Sequence, residues 1–426
     1  MRNLIIFIFF LLVACDQKSP PLLENKGISM DLLANIKIKL DFTCKYEIIP
    51  ESFSEVDVLF KYARWLQKNN ILKQDKTIDS EIERLYRIAA ENNHYKANIN
   101  LQNGSMRGQY SLTANERLRF SQQLIDAKIA TGYYLTAIYL QHGVAGVKED
   151  QELALRYYRK AADEGNSLAQ NYIADKLSPV NMAPEVAVQM FRCAAEQGSA
   201  EAANALGNTL AVKKQYQRAA EAFQMGVAAG DSSSARFLAN GFNGPAPTDQ
   251  LYYLGQQKDA ERASRYKIIA KVLSNYSYAH PTVPEINDIV PLPPAPLPAW
   301  DGKLKWLEAR EANVQPAKPS EALIEKLAKD KRLNPETGRP LPASPDFDKS
   351  ARVLLCKTGE PCPKSGYWQI AWLPREGISQ NAILTLKQGD IMPADVVEFY
   401  RPRPWPFRDK HYQQEQHVDW RYLGDV

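Results

Sequence analysis

Side chains able to do chemistry are few in this chain and poorly spaced for it. The five histidines, His94, His142, His280, His411 and His417, form neither HExxH nor a paired metal-ligand spacing. His411 and His417 lie six apart in a polar tail with no third ligand candidate beside them, so all five read as surface histidines. No GxSxG, Walker-type loop or GxGxxG occurs. Ser105, between Gly104 and Met106, lacks the strand-turn-helix setting of a nucleophile elbow. The carboxylate pairs Glu81–Glu83 and Glu308–Glu311 belong to charged helical stretches, where a solvated face accounts for them. These residues offer no catalytic set, no metal site and no cofactor site. A chain of this kind is expected to bind rather than to catalyse.

The five cysteines carry more information. Cys15 closes the run Leu12-Val13-Ala14-Cys15, which follows Met1-Arg2 and an apolar stretch from Leu4 to Val13. That stretch is too short to cross a hydrocarbon core of ~30 Å as a helix. It fits the apolar region of a secretory signal over 1–14; a signal cut elsewhere, or an uncleaved anchor, is the alternative. The small Ala14 before Cys15 resembles the lipobox of bacterial lipoproteins, which implies an acylated Cys15 and a membrane partner reached through lipid. In enteric-type lipoproteins an aspartate after that cysteine resembles an inner-membrane retention signal. Asp16 therefore favours the inner membrane, facing the periplasm, and the outer membrane stays open. Residues 15–30 read as a flexible tether and 31–79 as a helical or irregular segment.

In an oxidising compartment Cys44, Cys193, Cys356 and Cys362 could pair in three ways. Cys356 and Cys362 flank Lys-Thr-Gly-Glu-Pro, a turn that could join them, and their disulfide is the favoured expectation. So short a loop would contribute only ~2 kcal/mol. Zinc is the competing reading, with a spacing too wide for CxxC. Cys193 falls in an expected helix, as a free buried thiol or as a partner for Cys44.

Length and composition frame these residues. A chain of 426 residues can hold two or three domains. Hydrophobic content of 45% and charged content of 24% are ordinary globular values. A net charge of +4, with acids and bases interleaved, leaves no nucleic-acid footprint.

The central third repeats. Ala161-Ala162-Asp163-Glu164-Gly165, Ala194-Ala195-Glu196-Gln197-Gly198 and Ala228-Ala229-Gly230 mark successive helix ends, with Gly132 as an earlier equivalent, at intervals of 33, 33 and 32. A fixed period in that range means stacked supersecondary units. Helical spacing of apolar residues predicts helix pairs at 133–140 and 152–162, 167–177 and 184–195, and 200–210 and 216–228. Each closing glycine offers a left-handed terminator. Tyr139, Gly143, Gly146-Val147, Asp150, Ala154, Tyr158, Ala161-Ala162 and Gly165 resemble the Sel-one-like repeat, a relative of the tetratricopeptide repeat. Residues 81–101 look like a divergent earlier unit, and 234–240 with 260–273 like a capping pair. The resemblance implies a mainly α protein, an α/α solenoid over 80–275.

From Pro281 to Pro298 seven prolines stiffen the chain into a spacer or a strap along the solenoid, and 276–345 reads as a linker with short helices at 304–312 and 320–331. The remainder, 346–426, reads as a small β-rich domain with strands at 351–356 and 366–372. Within it Cys362-Pro363-Lys364-Ser365-Gly366-Tyr367-Trp368, Gly389-Asp390-Ile391-Met392-Pro393 and Trp420 resemble the tail domain of certain proteobacterial lipoproteins. These also carry Sel-one-like repeats and resemble immunity proteins encoded beside type VI secretion toxins, often phospholipases. The resemblance implies a periplasm-facing lipoprotein that occludes such a toxin. Tyr367, Trp368 and Trp405 are its candidate partner-binding residues. An envelope scaffold that organises host periplasmic or cell-wall proteins is the alternative. If Cys15 is the acylated residue, a fatty-acid probe will label the wild-type chain in cells and leave Cys15→Ser unlabelled; equal labelling of both removes the anchor.

Overall fold

A computed structural model describes residues 41–347, 354–371, 377–379, 383–401 and 410–424. Cys15, Asp16 and Trp405 lie outside the described residues. The described residues belong to a single compact unit, Leu40–Val426.

Twelve helices follow one another in a row. They are α1 (Ser54–Asn70), α2 (Lys76–Glu91), α3 (Tyr95–Met106), α4 (Ala114–Asp126), α5 (Thr131–His142) and α6 (Gln151–Asp163), then α7 (Ser167–Leu177), α8 (Pro184–Glu196), α9 (Ala200–Val212), α10 (Tyr216–Ala229), α11 (Ser232–Gly241) and α12 (Ala260–Asn275). Each lies against the next, giving an α/α solenoid. The row begins at Ser54, inside the segment read from sequence as a helical or irregular lead-in.

The repeat is written in its joints. Gly165, Gly198 and Gly230 all take positive φ and are followed by Asn166, Ser199 and Asp231. Those three side chains accept from backbone N–H groups of the next helix, so one residue ends a helix and its neighbour caps the following one. Ala89-Ala90-Glu91-Asn92-Asn93-His94 obeys the same rule with Asn93 at φ +63° and His94 as cap. The paired alanines Ala161, Ala162, Ala194 and Ala195 are buried, which lets neighbouring helices approach closely. Gly132 is different. It lies inside α5, where a Cβ would meet the Ser121 carbonyl at 2.7 Å, so it permits close packing on α4 and ends no helix.

Two straps bind the row. Residues 41–53 cross the joints of the middle units, with Lys45 O accepting from Gln170 Nε2 at 3.0 Å and Tyr46 OH donating to Glu196 at 2.7 Å. Glu47 accepts from the backbone N–H and hydroxyl of Thr131, supplying at the start of α5 the cap that Ala130 lacks. Gly165 is needed there, because a Cβ would meet Glu47 N at 2.7 Å. A Cys44–Cys193 disulfide fastens this strap to α8.

The second strap is the Pro-rich return. Val283 N donates to Ala228 O, and Pro281 O sits 2.0 Å from where a Cβ on Gly230 would lie. Gln224 and Arg265 hold the carbonyls of Val290 and Ile289, at the end of α13 (Ile286–Ile289). In α14 (Lys305–Ala312) the Arg310 guanidinium lies 5.5–5.8 Å from the rings of Tyr276, Tyr278 and Trp306. The next residue but two, Asn313, exchanges amide hydrogen bonds with Asn69 and accepts from Trp65 Nε1 at 3.1 Å. The last helix of the row is thereby clasped to the first. α15 (Glu321–Asp330) then buries Ile324, Leu327 and Ala328 in the α1–α2 core.

Beneath the loop that carries Gly338 and Arg339 lies a buried charge cluster. Arg87, 1% exposed, donates to Glu83, Glu116 and Ser111 O, and Arg339 of the return strap donates to Ser111 Oγ at 2.6 Å. Burial works against ionisation of Glu116, yet Arg87 outweighs it and holds the carboxyl below its usual range.

The β tail has a four-stranded sheet, β1 (Leu355–Lys357), β7 (Asp419–Gly424), β2 (Gly366–Ile370) and β4 (Ile383–Leu386), antiparallel in that order. β3 (Gly377–Ser379), β5 (Asp395–Arg401) and β6 (Lys410–Gln416) form a second, also antiparallel. Trp368, Trp420, Ile370, Met392, Val418 and the two cysteines make its core. Arg421 donates to Tyr110 O at 3.0 Å and ties β7 to the loop between α3 and α4.

Two expectations follow. Ala162→Leu overpacks the joint and costs ~1–3 kcal/mol, read as a lower denaturation midpoint; an unchanged midpoint refutes the packing assigned to Ala162. Opening the Cys44–Cys193 bridge by Cys193→Ser costs about 2–5 kcal/mol, measured by chemical denaturation; a loss that reductant also produces in the Cys193→Ser variant belongs to another pair.

Candidate binding surface

The residues singled out from sequence do not gather at one place. Trp368 is fully buried, stacks edge-on to Tyr422 at 5.3 Å and donates its indole N–H to Lys364 O. It is a core residue of the tail, and no partner reaches it. Tyr367, the next residue along β2, faces the other side of the sheet and is half-buried. The expected Cys356–Cys362 disulfide is not formed: both are buried free thiols, each directed at its own acceptors. Cys356 Sγ lies 3.5 Å from Glu360 Oε2 and from Pro361 O, while Cys362 Sγ lies 3.2 Å from Lys364 O. Burial and then the Glu360 carboxylate push the Cys356 thiol up, away from the reactive thiolate. The disulfide joins Cys44 and Cys193 instead.

His94 is likewise not a surface histidine. It is 3% exposed, stacks on Phe60 at 4.3 Å and accepts from Ala97 N, so its job is to cap α3; burial pushes its pKa down. Among the described residues no three His, Cys, Asp or Glu side chains cluster tightly enough to hold a metal ion. None of the described helices is long and apolar enough to cross a membrane.

What the fold does assemble is a row of tyrosines. Tyr134 on α5, Tyr158 on α6 and Tyr172 on α7 come together, with ring centroids 5.7 Å apart for the first pair and 4.2 Å for the second. Tyr158 is buried, and its hydroxyl donates to Gln141 Oε1 at 2.6 Å. Tyr134 and Tyr172 are half-buried at its sides. Two exposed carboxylates adjoin them. Burial and then Glu201 of α9 push the Tyr134 phenol up, and burial and then Asp175 do the same to Tyr172. The Lys176 ammonium lies 5.3 Å over the Tyr172 ring. Three successive units thus contribute to one aromatic and acidic patch. Tyr158 was visible in the sequence only as a repeat-consensus residue. Its meeting with Tyr134 and Tyr172 depends on how the units stack, which no local pattern shows.

A row of helix pairs with a preformed, mixed aromatic and polar face is a recognition architecture. Residues 130–166 and 178–199 match the Sel1 repeat family, and the chain contains Sel1 repeats. Residues 234–341, from the last helix pair through the return strap, match a domain of unknown function, DUF6396. No curated protein matches the chain. Among solved structures it is similar to the immunity protein PA5088 from Pseudomonas aeruginosa, 24% identical over 60% of this chain and 95% of that one, with a TM-score of 0.47. It is similar to the immunity protein Pa5087 of the same organism, 24% identical over 60% and 96%, TM-score 0.44. A Sel1 repeat protein from Oxalobacter formigenes is 21% identical over 51% and 87%, TM-score 0.38.

Proposed function

We propose that this chain is a lipid-anchored, periplasm-facing protein that neutralises a lipid-degrading toxin of a type VI secretion system by binding it and covering its active or membrane-docking face. The observation that carries the binding part is the clasped Sel1 solenoid, whose ends are joined through Arg310 and Asn313 and whose tyrosine row is assembled before any partner arrives. A surface already ordered loses little freedom on association, which favours the tight contact that neutralisation requires. Such contacts bury ~1,200–2,000 Å² and concentrate their energy in aromatic and arginine anchors. The tail motifs around Cys362–Trp368 and Gly389–Pro393 support the toxin class through the resemblance described above. A disulfide between Cys44 and Cys193 supports an oxidising compartment, and Leu12–Cys15 supports the anchor.

Cells lacking this protein are expected to be killed by siblings carrying the intact secretion system, and re-expression restores survival. Survival of the deletion strain against every type VI-competent sibling, with pull-downs that recover only host envelope proteins, replaces the immunity reading with an envelope scaffold.

A further inference from the structure

The tyrosine row has a chemistry of its own, and resting on the partner-binding reading above, we propose that Tyr134, Tyr158 and Tyr172, with Asp175 and Glu201, form the seat for an arginine side chain of the protein partner. Three features combine. The rings of Tyr134 and Tyr172 flank Tyr158 at 5.7 and 4.2 Å, making an aromatic wall that is half open to solvent on two of its three members. Asp175, three residues beyond Tyr172, shares its side of α7, and Glu201 of α9 is near enough for its charge to be felt at Tyr134. Among the described residues neither carboxylate has an ion-pair partner, so the patch holds negative charge in search of a cation.

A second set of rings serves as an internal comparison. Tyr133 and Tyr157 lie 6.2 Å apart on the same two helices, and Lys160 sits 5.7 Å over Tyr133 while bonding Glu164 at 2.7 Å. In that set the cation and the carboxylate are both supplied from within and already joined. In the Tyr134 set the Lys176 ammonium lies over Tyr172, which shows that the ring face accepts positive charge. Lys176 is held to no carboxylate among the described residues and can swing aside on its flexible stem.

Arginine fits better than lysine. A guanidinium is planar, stacks on tyrosine rings and keeps its fork of N–H donors free for carboxylates at its edge. Its weaker hydration lowers the cost of leaving water for a half-buried wall. Arginine is also among the residues most enriched where interface energy concentrates.

The experiment titrates the purified chain with a short blocked Gly-Arg-Gly peptide and with its citrulline counterpart, following the tyrosine ring resonances. The arginine peptide is expected to shift Tyr134, Tyr158 and Tyr172 and to bind the Asp175→Asn, Glu201→Gln double variant roughly fivefold or more weakly; both substituted residues are exposed, so the variant keeps its fold. Citrulline, the same shape without charge, leaves the rings unmoved. Equal shifts from both peptides, or shifts confined to other tyrosines, overturn the seat. A parallel arm asks whether the double variant, at wild-type abundance, still protects cells from siblings. Protection by wild type and its loss in the variant supports the proposal. Full protection by both refutes the seat and leaves the immunity reading standing, whereas no protection by wild type refutes the immunity reading while the peptide titration still decides the seat.

Discussion

Arg87 is the residue around which three parts of the molecule are fixed. It has almost no exposed surface, and its guanidinium spans Glu83 on its own helix, Glu116 at the start of α4 and the Ser111 carbonyl between them. Glu116 at the same time closes a capping box with Thr113. Arg339 reaches Ser111 from the return strap, and Arg421 reaches the adjacent Tyr110 carbonyl from the tail. A charge buried so deeply is tolerated only while every partner is present, since removing one leaves its counterpart uncompensated in a medium that solvates it poorly. The solenoid, the return strap and the β tail must therefore meet at this spot in one arrangement. What the cluster contributes is less net stability than a single permitted geometry.

The clasp at the other side extends the same logic. Sel1-type units touch only their neighbours, so an open row is free to flex along its length and to fray at its ends. Arg310 against three aromatic rings, and Asn313 against Trp65 and Asn69, bring the last unit back to the first. The curvature of the row is then set by two closures rather than by the sum of small angles between units. That is a favourable setting for a patch such as the tyrosine row, whose members come from α5, α6 and α7 and whose acids come from α7 and α9.

Much of the solenoid was legible in the sequence because its joints are local. A glycine next to a capping Asn, Ser or Asp follows from backbone sterics and unsatisfied N–H groups, and the spacing of 165, 198 and 230 repeats that requirement. The first units were harder to read because Asn93 does the glycine's work. Gly132 misled for the opposite reason, being a glycine kept for close helix packing. The pairing of Cys44 with Cys193, 149 residues apart, is a product of the strap crossing the joints, whereas the nearby Cys356 and Cys362 are turned toward separate oxygens. Trp368 stands next to Tyr367 in sequence, yet strand alternation sends one inward and the other outward. The seat formed by Tyr134, Tyr158 and Tyr172 escaped sequence reading because stacking alone brings them together.

The strap across the joints also decides how the molecule bears load. Any tension transmitted along the chain toward residue 44 passes through the Cys44–Cys193 bond to α8, deep within the row. Helices α1 to α7 lie in the loop that the bond closes and are bypassed by the pull. An end-loaded solenoid peels one unit at a time, each step working against a single interface. Here the pull enters at α8 through a covalent bond. The strap residues Lys45, Tyr46 and Glu47 lie inside the closed loop, so their contacts with Gln170, Glu196 and Thr131 are spared it. A pull arriving at residue 44 therefore reaches α8 without first loosening the helices that carry the tyrosine row.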